Sequence, residues 1–377
     1  MTHKLTVYLH IGSGKVGSSS IQYWMLRSEK ELNNRGILML DQELNPHTPT
    51  NQHWIWNQNY TFRHLGPDVP DRVNQFVEKM ARVSKYMREH GFHSVIISSV
   101  RLTSIAANGK FHELFSSLAD EYDWRLIFYV RNQYTYLSSA WNQWYHSDAN
   151  YEHVDDWLSQ VIGHEGNWLV ALQPWAELFT SERITVRVLD RRFLRNGSLW
   201  DDFAHIIGVP NNQTDENIQN ESLSNKLIAT LSLLIRNKGV DTTNNWQIKH
   251  MISERAPDLG FGKDPDTSVI GPEWHDRIRV AYADSNRQLV AQYFADERVL
   301  ESFELPAIKP KFTMTTDQVV VHGLRLLMRI VYHIDQENRG FRQKIGNLHR
   351  ENQALKDAQK RLEERVEALS QASHHQK

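Results

Sequence analysis

Residues 5 to 25 read LTVYLHIGSGKVGSSSIQYWM. Leu5 to Ile11 is a short run rich in β-branched and apolar residues, as a buried strand requires. Gly12, Gly14 and Gly17 with their serines then break the pattern, and Ile21, Trp24, Met25 and Leu32 return at helical spacing. The stretch is a strand, a glycine turn and a helix. Four more runs of the first kind follow: GILML (36 to 40), SVIISS (94 to 99), WRLIFYV (124 to 130) and RITVRVLD (183 to 190), with helical stretches between them. Strands alternating with helices predict an α/β fold, a P-loop-like doubly wound parallel sheet flanked by helices. A turn after the first strand then stands at the carboxyl edge of the sheet, where open α/β sheets bind ligands.

Composition narrows the function. The 377 residues carry 40% apolar side chains, enough for a sizeable core, and a formal charge of -2. That charge gives no general attraction to nucleic acid or an anionic membrane, so an anion site must be local and no nucleic-acid partner is expected. There is no cysteine, hence no disulfide and no zinc-thiolate site. The 19 histidines show no His-Glu-x-x-His spacing, and no metal is expected. Met1 runs straight into the first strand without a signal-like segment, and no apolar run reaches about 18 residues. A cytoplasmic chain without a transmembrane segment is expected.

The turn itself suits an anion. Gly12, Gly14 and Gly17 let the backbone approach closely, the helix after Ser18 presents its positive end, and Lys15 adds a full charge. A nucleotide-triphosphate loop needs Gly-Lys-Ser/Thr, and here Lys15 is followed by Val16. The hydroxyls come later, in KVGSS (15 to 19). A second motif, YVRNQYTYLSSAW (129 to 141), ends a strand on Arg131 and places Ser139 eight residues on. It brings a guanidinium, whose planar fork fits phosphate, to the same edge of the sheet.

Together the two motifs resemble the sulfotransferases that use 3′-phosphoadenosine 5′-phosphosulfate (PAPS), most closely the bacterial carbohydrate-type members. The resemblance also takes in RRFLRNGSLWDDFAHIIGV (191 to 209), NESLS (220 to 224) and DSNRQLVAQYF (284 to 294), and spans about residues 5 to 305. It implies that Gly14, Lys15, Val16, Gly17, Ser18 and Ser19 cradle the 5′-phosphosulfate, with Lys15 catalytic at the leaving oxygen. It further implies that Arg131 and Ser139 hold the 3′-phosphate, that PAPS is the donor, and that no metal takes part. The acceptor it implies is a hydroxyl of a carbohydrate or glycolipid. The chain departs from its relatives where many carry a glutamate after Ser-Ser at the end of the third strand; here Val100 and Arg101 stand in SSVRL.

The expected substitute for that base is His53, in NQHWIW within a long loop after the second strand, with His10 and Glu43 as weaker candidates. Trp54, Trp56, Tyr60, Trp141, Trp144 and Tyr145 offer faces for a sugar ring, or fill the core. Two other readings fit the architecture: an ATP-dependent small-molecule kinase, and a non-catalytic oligomerising protein.

The tail has its own pattern. A boundary is expected near LPAIKPKF (305 to 312), and TTDQ (315 to 318) offers a capping box for a long helix. The expected division is a sulfotransferase-like domain over 1 to 305, a linker and helix over 306 to 337, and a coiled coil over 338 to 377. From Phe341 a seven-residue repeat sets Phe341, Leu348, Leu355, Leu362 and Leu369 on one seam position and Ile345, Asn352, Gln359 and Val366 on the other. This predicts a homodimer through a parallel two-stranded coiled coil, or a helix folded back on the domain.

Overall fold

The computed structural model describes residues 4–46, 58–66, 68–103, 111–148, 150–213, 224–236 and 266–374. Each apolar run is a strand: β1 (Thr6–His10), β2 (Ile37–Met39), β3 (Ser94–Ser98), β4 (Asp123–Val130) and β5 (Ile184–Val188). All pair in parallel, in the order β2-β3-β1-β4-β5. Every residue of β2 and β3 is buried, as are Leu126 to Val130 of β4, because helices cover both faces of the sheet.

The helices that matter for the site are α1 (Ser18–Arg27), α2 (Glu29–Asn34), α3 (Asn59–His64), α4 (Arg72–His90), α5 (His112–Ser116) and α6 (Gln133–Gln143). After them come α7 (Val154–Val161), α8 (Trp168–Leu178), α9 (Leu199–Ile206), α10 (Asn225–Arg236), α11 (His275–Tyr293) and α12 (Thr316–His374). From β1 the chain leads to β2 on one side of the sheet; from β4 it leads to β5 on the other. The exits of these two adjacent strands therefore diverge, and their carboxyl ends form the switch point of the sheet. β4 continues past the end of β1: His10 pairs with Ile127, and Val130 lies three residues further on. That overhang sets Arg131 beyond the floor on which the glycine turn stands.

Helix α1 forms where the spacing predicts and buries Ile21, Trp24 and Met25, but it ends at Arg27, so Leu32, expected on the same helix, is buried from the separate helix α2. It packs on α9, where Trp24 meets Phe203 edge-on and the Trp200 indole N–H donates to Ser20. Asp202 of α9 ties this helix to the sheet. Its fully buried carboxylate accepts from Tyr129 Oη of β4 (2.7 Å), Arg187 Nε of β5 (2.9 Å) and the Arg195 amide (3.1 Å), and pairs with the Arg187 terminal nitrogen as well.

Two compact units divide the chain: residues 1–228 with 263–313, and residues 229–262 with 314–377. The first runs past the expected boundary at 305 because residues 306–313 are held along its surface. Phe312 N–H donates to Ser268 O (2.7 Å), Ser268 N–H to Pro310 O (3.0 Å), and Lys311 pairs with Asp155. In the second unit α12 opens on the expected capping box, Thr315 N–H to Gln318 Oε1 (3.0 Å) and Gln318 N–H to Thr315 Oγ1 (3.3 Å). It continues for 59 residues without a break at 338. No described helix is long and apolar enough to cross a membrane.

Candidate functional site

The turn between β1 and α1 is held in a strained shape. Lys15 adopts φ 63° and Gly17 φ 89°, both left-handed, and the first is a conformation that a side chain makes unfavourable by about 1–2 kcal/mol. The glycines are needed for space as well. A Cβ on Gly12 would lie 2.3 Å from Ser18 Oγ, and one on Gly14 would lie 2.2 Å from the Trp144 indole. Val16 is buried and pins the turn to the core, while Gly17 leads directly into the first helical residue, Ser18. The Ser18 hydroxyl is buried and donates to Ser13 O (2.8 Å), so its proton closes the turn; the Ser19 side chain is exposed.

Arg131 reaches this turn from the end of β4. Its Nε donates to Thr135 Oγ1 (3.0 Å) and one terminal nitrogen to Lys15 O (3.2 Å). Its backbone carbonyl accepts the Trp168 indole N–H (2.7 Å), which fixes where the side chain starts. Burial lowers the pKa of Arg131, and burial with the Arg131 charge lowers that of Lys15. Neither cation forms an ion pair among the described residues. Two half-buried like charges without a carboxylate partner are unfavourable in an empty protein and favourable to a polyanion.

Further along α6, Ser139 lies one turn past Thr135 on the same helix face. It is buried, and its hydroxyl has no hydrogen-bond partner among the described residues. Ser138 Oγ and Asn142 Oδ1 beside it are enclosed and equally unbonded. Native interiors leave few polar groups in that state. The line from Arg131 to Asn142 thus carries unused donors and acceptors beside an uncompensated positive charge.

Beneath the turn His10 is fully buried, with Nδ1 2.8 Å from Ser98 Oγ and its ring edge-on to Phe203. This enclosure makes it a core residue, against the expectation of a weak candidate base. Burial pushes its pKa from 6.5 down to about 3. Folding favours the neutral ring, so this contribution is complete above pH 6.5 and is lost as pH falls toward 3, at about 1.4 kcal/mol per pH unit. In urea unfolding between pH 6.5 and 4, His10→Gln is expected to show a stability slope shallower by about one proton. An identical slope in the two proteins contradicts the buried neutral ring.

Beside the turn stands a carboxylate that the sequence reading missed. Glu165, in the loop between α7 and α8, accepts from Tyr136 Oη of α6 at 2.5 Å. Burial raises the Glu165 pKa, and no cation is paired with it among the described residues. Burial, with the nearby Glu165 carboxylate, pushes Tyr145 up to about 12. The only sequence signal was GHEG itself: Gly163 and Gly166 have φ 86° and 78°, and so bend the chain sharply around Glu165.

The remaining candidates separate. Trp141 is buried against Trp157, and Tyr145 stacks on Trp157 at 4.7 Å, so both serve packing; Trp144 lies over Gly14 and is 41% exposed. Glu43 is exposed in the turn after β2, and Arg101 is exposed after β3 without an ion pair among the described residues. Val100 follows β3, its amide bonded to Asn59 Oδ1 (3.0 Å). His53, Trp54, Trp56 and most of NESLS lie outside the described residues, as does the side chain of Tyr60. Among the described residues no group of three or more histidines and carboxylates is gathered as for a metal ion.

The chain matches no protein-family model, no curated protein and no solved structure.

Proposed function

We propose that the chain transfers a sulfuryl group from PAPS to a hydroxyl of a carbohydrate or glycolipid. The observation that carries this reading is the meeting of Lys15 and Arg131 at the β1/β4 switch point, two cations without a carboxylate partner among the described residues. One cation stands on an N–H-rich turn at a helix N-terminus; the other stands beside the unbonded hydroxyls of α6. Two anionic groups on one ligand, a 5′-phosphosulfate and a 3′-phosphate, satisfy both.

In this scheme the turn amides and Ser19 hold the 5′ end, and Lys15 stabilises the charge that grows on the phosphate oxygen as its bond to sulfur breaks. Arg131 and Ser139 hold the 3′-phosphate. The acceptor oxygen forms the new bond to sulfur and its proton passes to a base. We assign that role to Glu165 rather than His53, because its carboxylate is held by Tyr136 of α6, the helix that also carries Thr135 and Ser139, and its second oxygen has no partner among the described residues. Trp144, exposed beside Gly14, offers the acceptor ring a flat face.

The test is release of 3′-phosphoadenosine 5′-phosphate from PAPS with polysaccharide and glycolipid acceptors, in the presence of a chelator. Acceptor-dependent release is expected; consumption of ATP with magnesium and none of PAPS overturns the reading. Glu165→Gln is expected to lower turnover at least tenfold with donor affinity unchanged, which is about 1.4 kcal/mol of transition-state stabilisation. Since burial raises its pKa, the wild-type rate falls as the carboxylate gains its proton, with a midpoint above 4.5, and the variant lacks this acid limb. Full turnover in Glu165→Gln, with loss in His53→Ala, returns the role to His53.

A further inference from the structure

The seven-residue repeat of α12 begins well before the stretch in which the sequence first shows it. Counting back from Phe341 reaches Ile334, Leu327 and Val320, and counting back from Ile345 reaches Asn338, Val331 and Leu324. The apolar members of both sets, from Val320 to Leu362, are each 45% to 70% exposed. Among the described positions of this helix Gly323 and Leu326, which lie off both sets, are buried. The two sets form an apolar line that is open over 43 residues, or roughly 65 Å at 1.5 Å per residue.

We propose that this line is the seam of a parallel, in-register two-stranded coiled coil with a second copy of the chain, running from Val320 through the tail rather than from 338. The occupant is a second copy for three reasons. The helix is unbroken for 59 residues and contains no turn on which it could fold back upon itself. Asn338 and Asn352 occupy the same seam position two heptads apart, so in register each meets its own counterpart, while a shift of one heptad sets Asn352 against Ile345. Beside the seam, the sequence gives Glu337 with Arg342 and Glu351 with Lys356 at the positions that face each other between parallel chains, opposite in sign in both cases. Gln359 and the helix glycines Gly340 and Gly346 weaken the seam locally without changing its register.

The chain has no cysteine, which allows a clean test on the full-length protein. Leu324→Cys and Gln359→Cys, made singly, lie far from the middle of the seam on opposite sides. Both are expected to give a disulfide-linked dimer under oxidation, because in a parallel register each position meets itself. Light scattering of the wild type is expected to give twice 44.1 kDa, and Leu348→Glu with Leu355→Glu to give the monomer mass with the near-ultraviolet spectrum retained. A monomeric wild type at micromolar concentration overturns the proposal. So does a dimer that survives the paired glutamates, or one that neither cysteine crosslinks. The outcome is independent of the donor site.

Discussion

Arg131→Ala is expected to bind 3′-phosphoadenosine 5′-phosphate at least thirtyfold more weakly than wild type, a loss of about 2 kcal/mol or more, as charge-assisted hydrogen bonds to phosphate contribute about 1.5–3 kcal/mol each. Lys15→Met is expected to behave differently: in the proposed transfer its ammonium acts on the charge of the leaving oxygen, so the variant is expected to lose more than tenfold in turnover and less in donor affinity. The same variant provides an internal control on stability. Folding lowers the Lys15 pKa, so the charged form is disfavoured in the folded state and removing it does not lower the urea midpoint. A residue that served packing alone would show the reverse: lost stability and unchanged turnover. Unchanged donor affinity in Arg131→Ala removes the second clamp from the account.

The second large effect falls on the scaffold. Asp202→Ala is expected to destabilise the fold by about 3–5 kcal/mol, measured by urea unfolding, because it leaves the partly buried Arg187 charge without its counter-ion. The Tyr129 hydroxyl and the Arg195 amide lose their acceptor at the same time. Asp202→Asn keeps the shape and some of the hydrogen bonds and should lose less. A loss below about 1 kcal/mol for the alanine variant would show that the link between α9 and the sheet is replaceable by water. Tyr129 lies in β4, two residues before Arg131, so the same link supports the strand that delivers the guanidinium to the turn.

How far this was legible depended on the kind of signal. All five strands stood in the sequence as short apolar runs; β2 and β3, buried at every residue, need no polar alternation, whereas β5 at the edge alternates buried and half-buried residues. The glycine turn was legible too: Gly12 and Gly14 have no room for a Cβ, and Gly17 is left-handed. The convergence of Lys15 and Arg131, 116 positions apart, depends on the pairing of His10 with Ile127 and on the three further residues of β4. No local pattern encodes that register. Hydroxyl roles were ambiguous for a similar reason: Ser18 and Ser19 are neighbours in KVGSS, yet one bonds back to Ser13 and the other is exposed.

Glu165 showed in the sequence only as GHEG, because its partner, Tyr136, lies 29 positions away on another element. His10 shows the converse error. A histidine at a strand end near the turn invites a chemical role, but Phe203, Tyr129 and Ser98 enclose it and make its neutral form part of the core. In the tail, Gly340 and Gly346 each cost about 1 kcal/mol of helix propensity, yet α12 continues for 59 residues through both, because the loss is spread over a long cooperative helix.

The measurement that tests the central claim most directly is calorimetric titration of the full chain, without metal, with 3′-phosphoadenosine 5′-phosphate and separately with ATP. The account predicts clear binding of the 3′-phosphorylated ligand, weak or no binding of ATP, and loss of the first in Arg131→Ala. Equal affinity for the two, or binding of ATP alone, contradicts it.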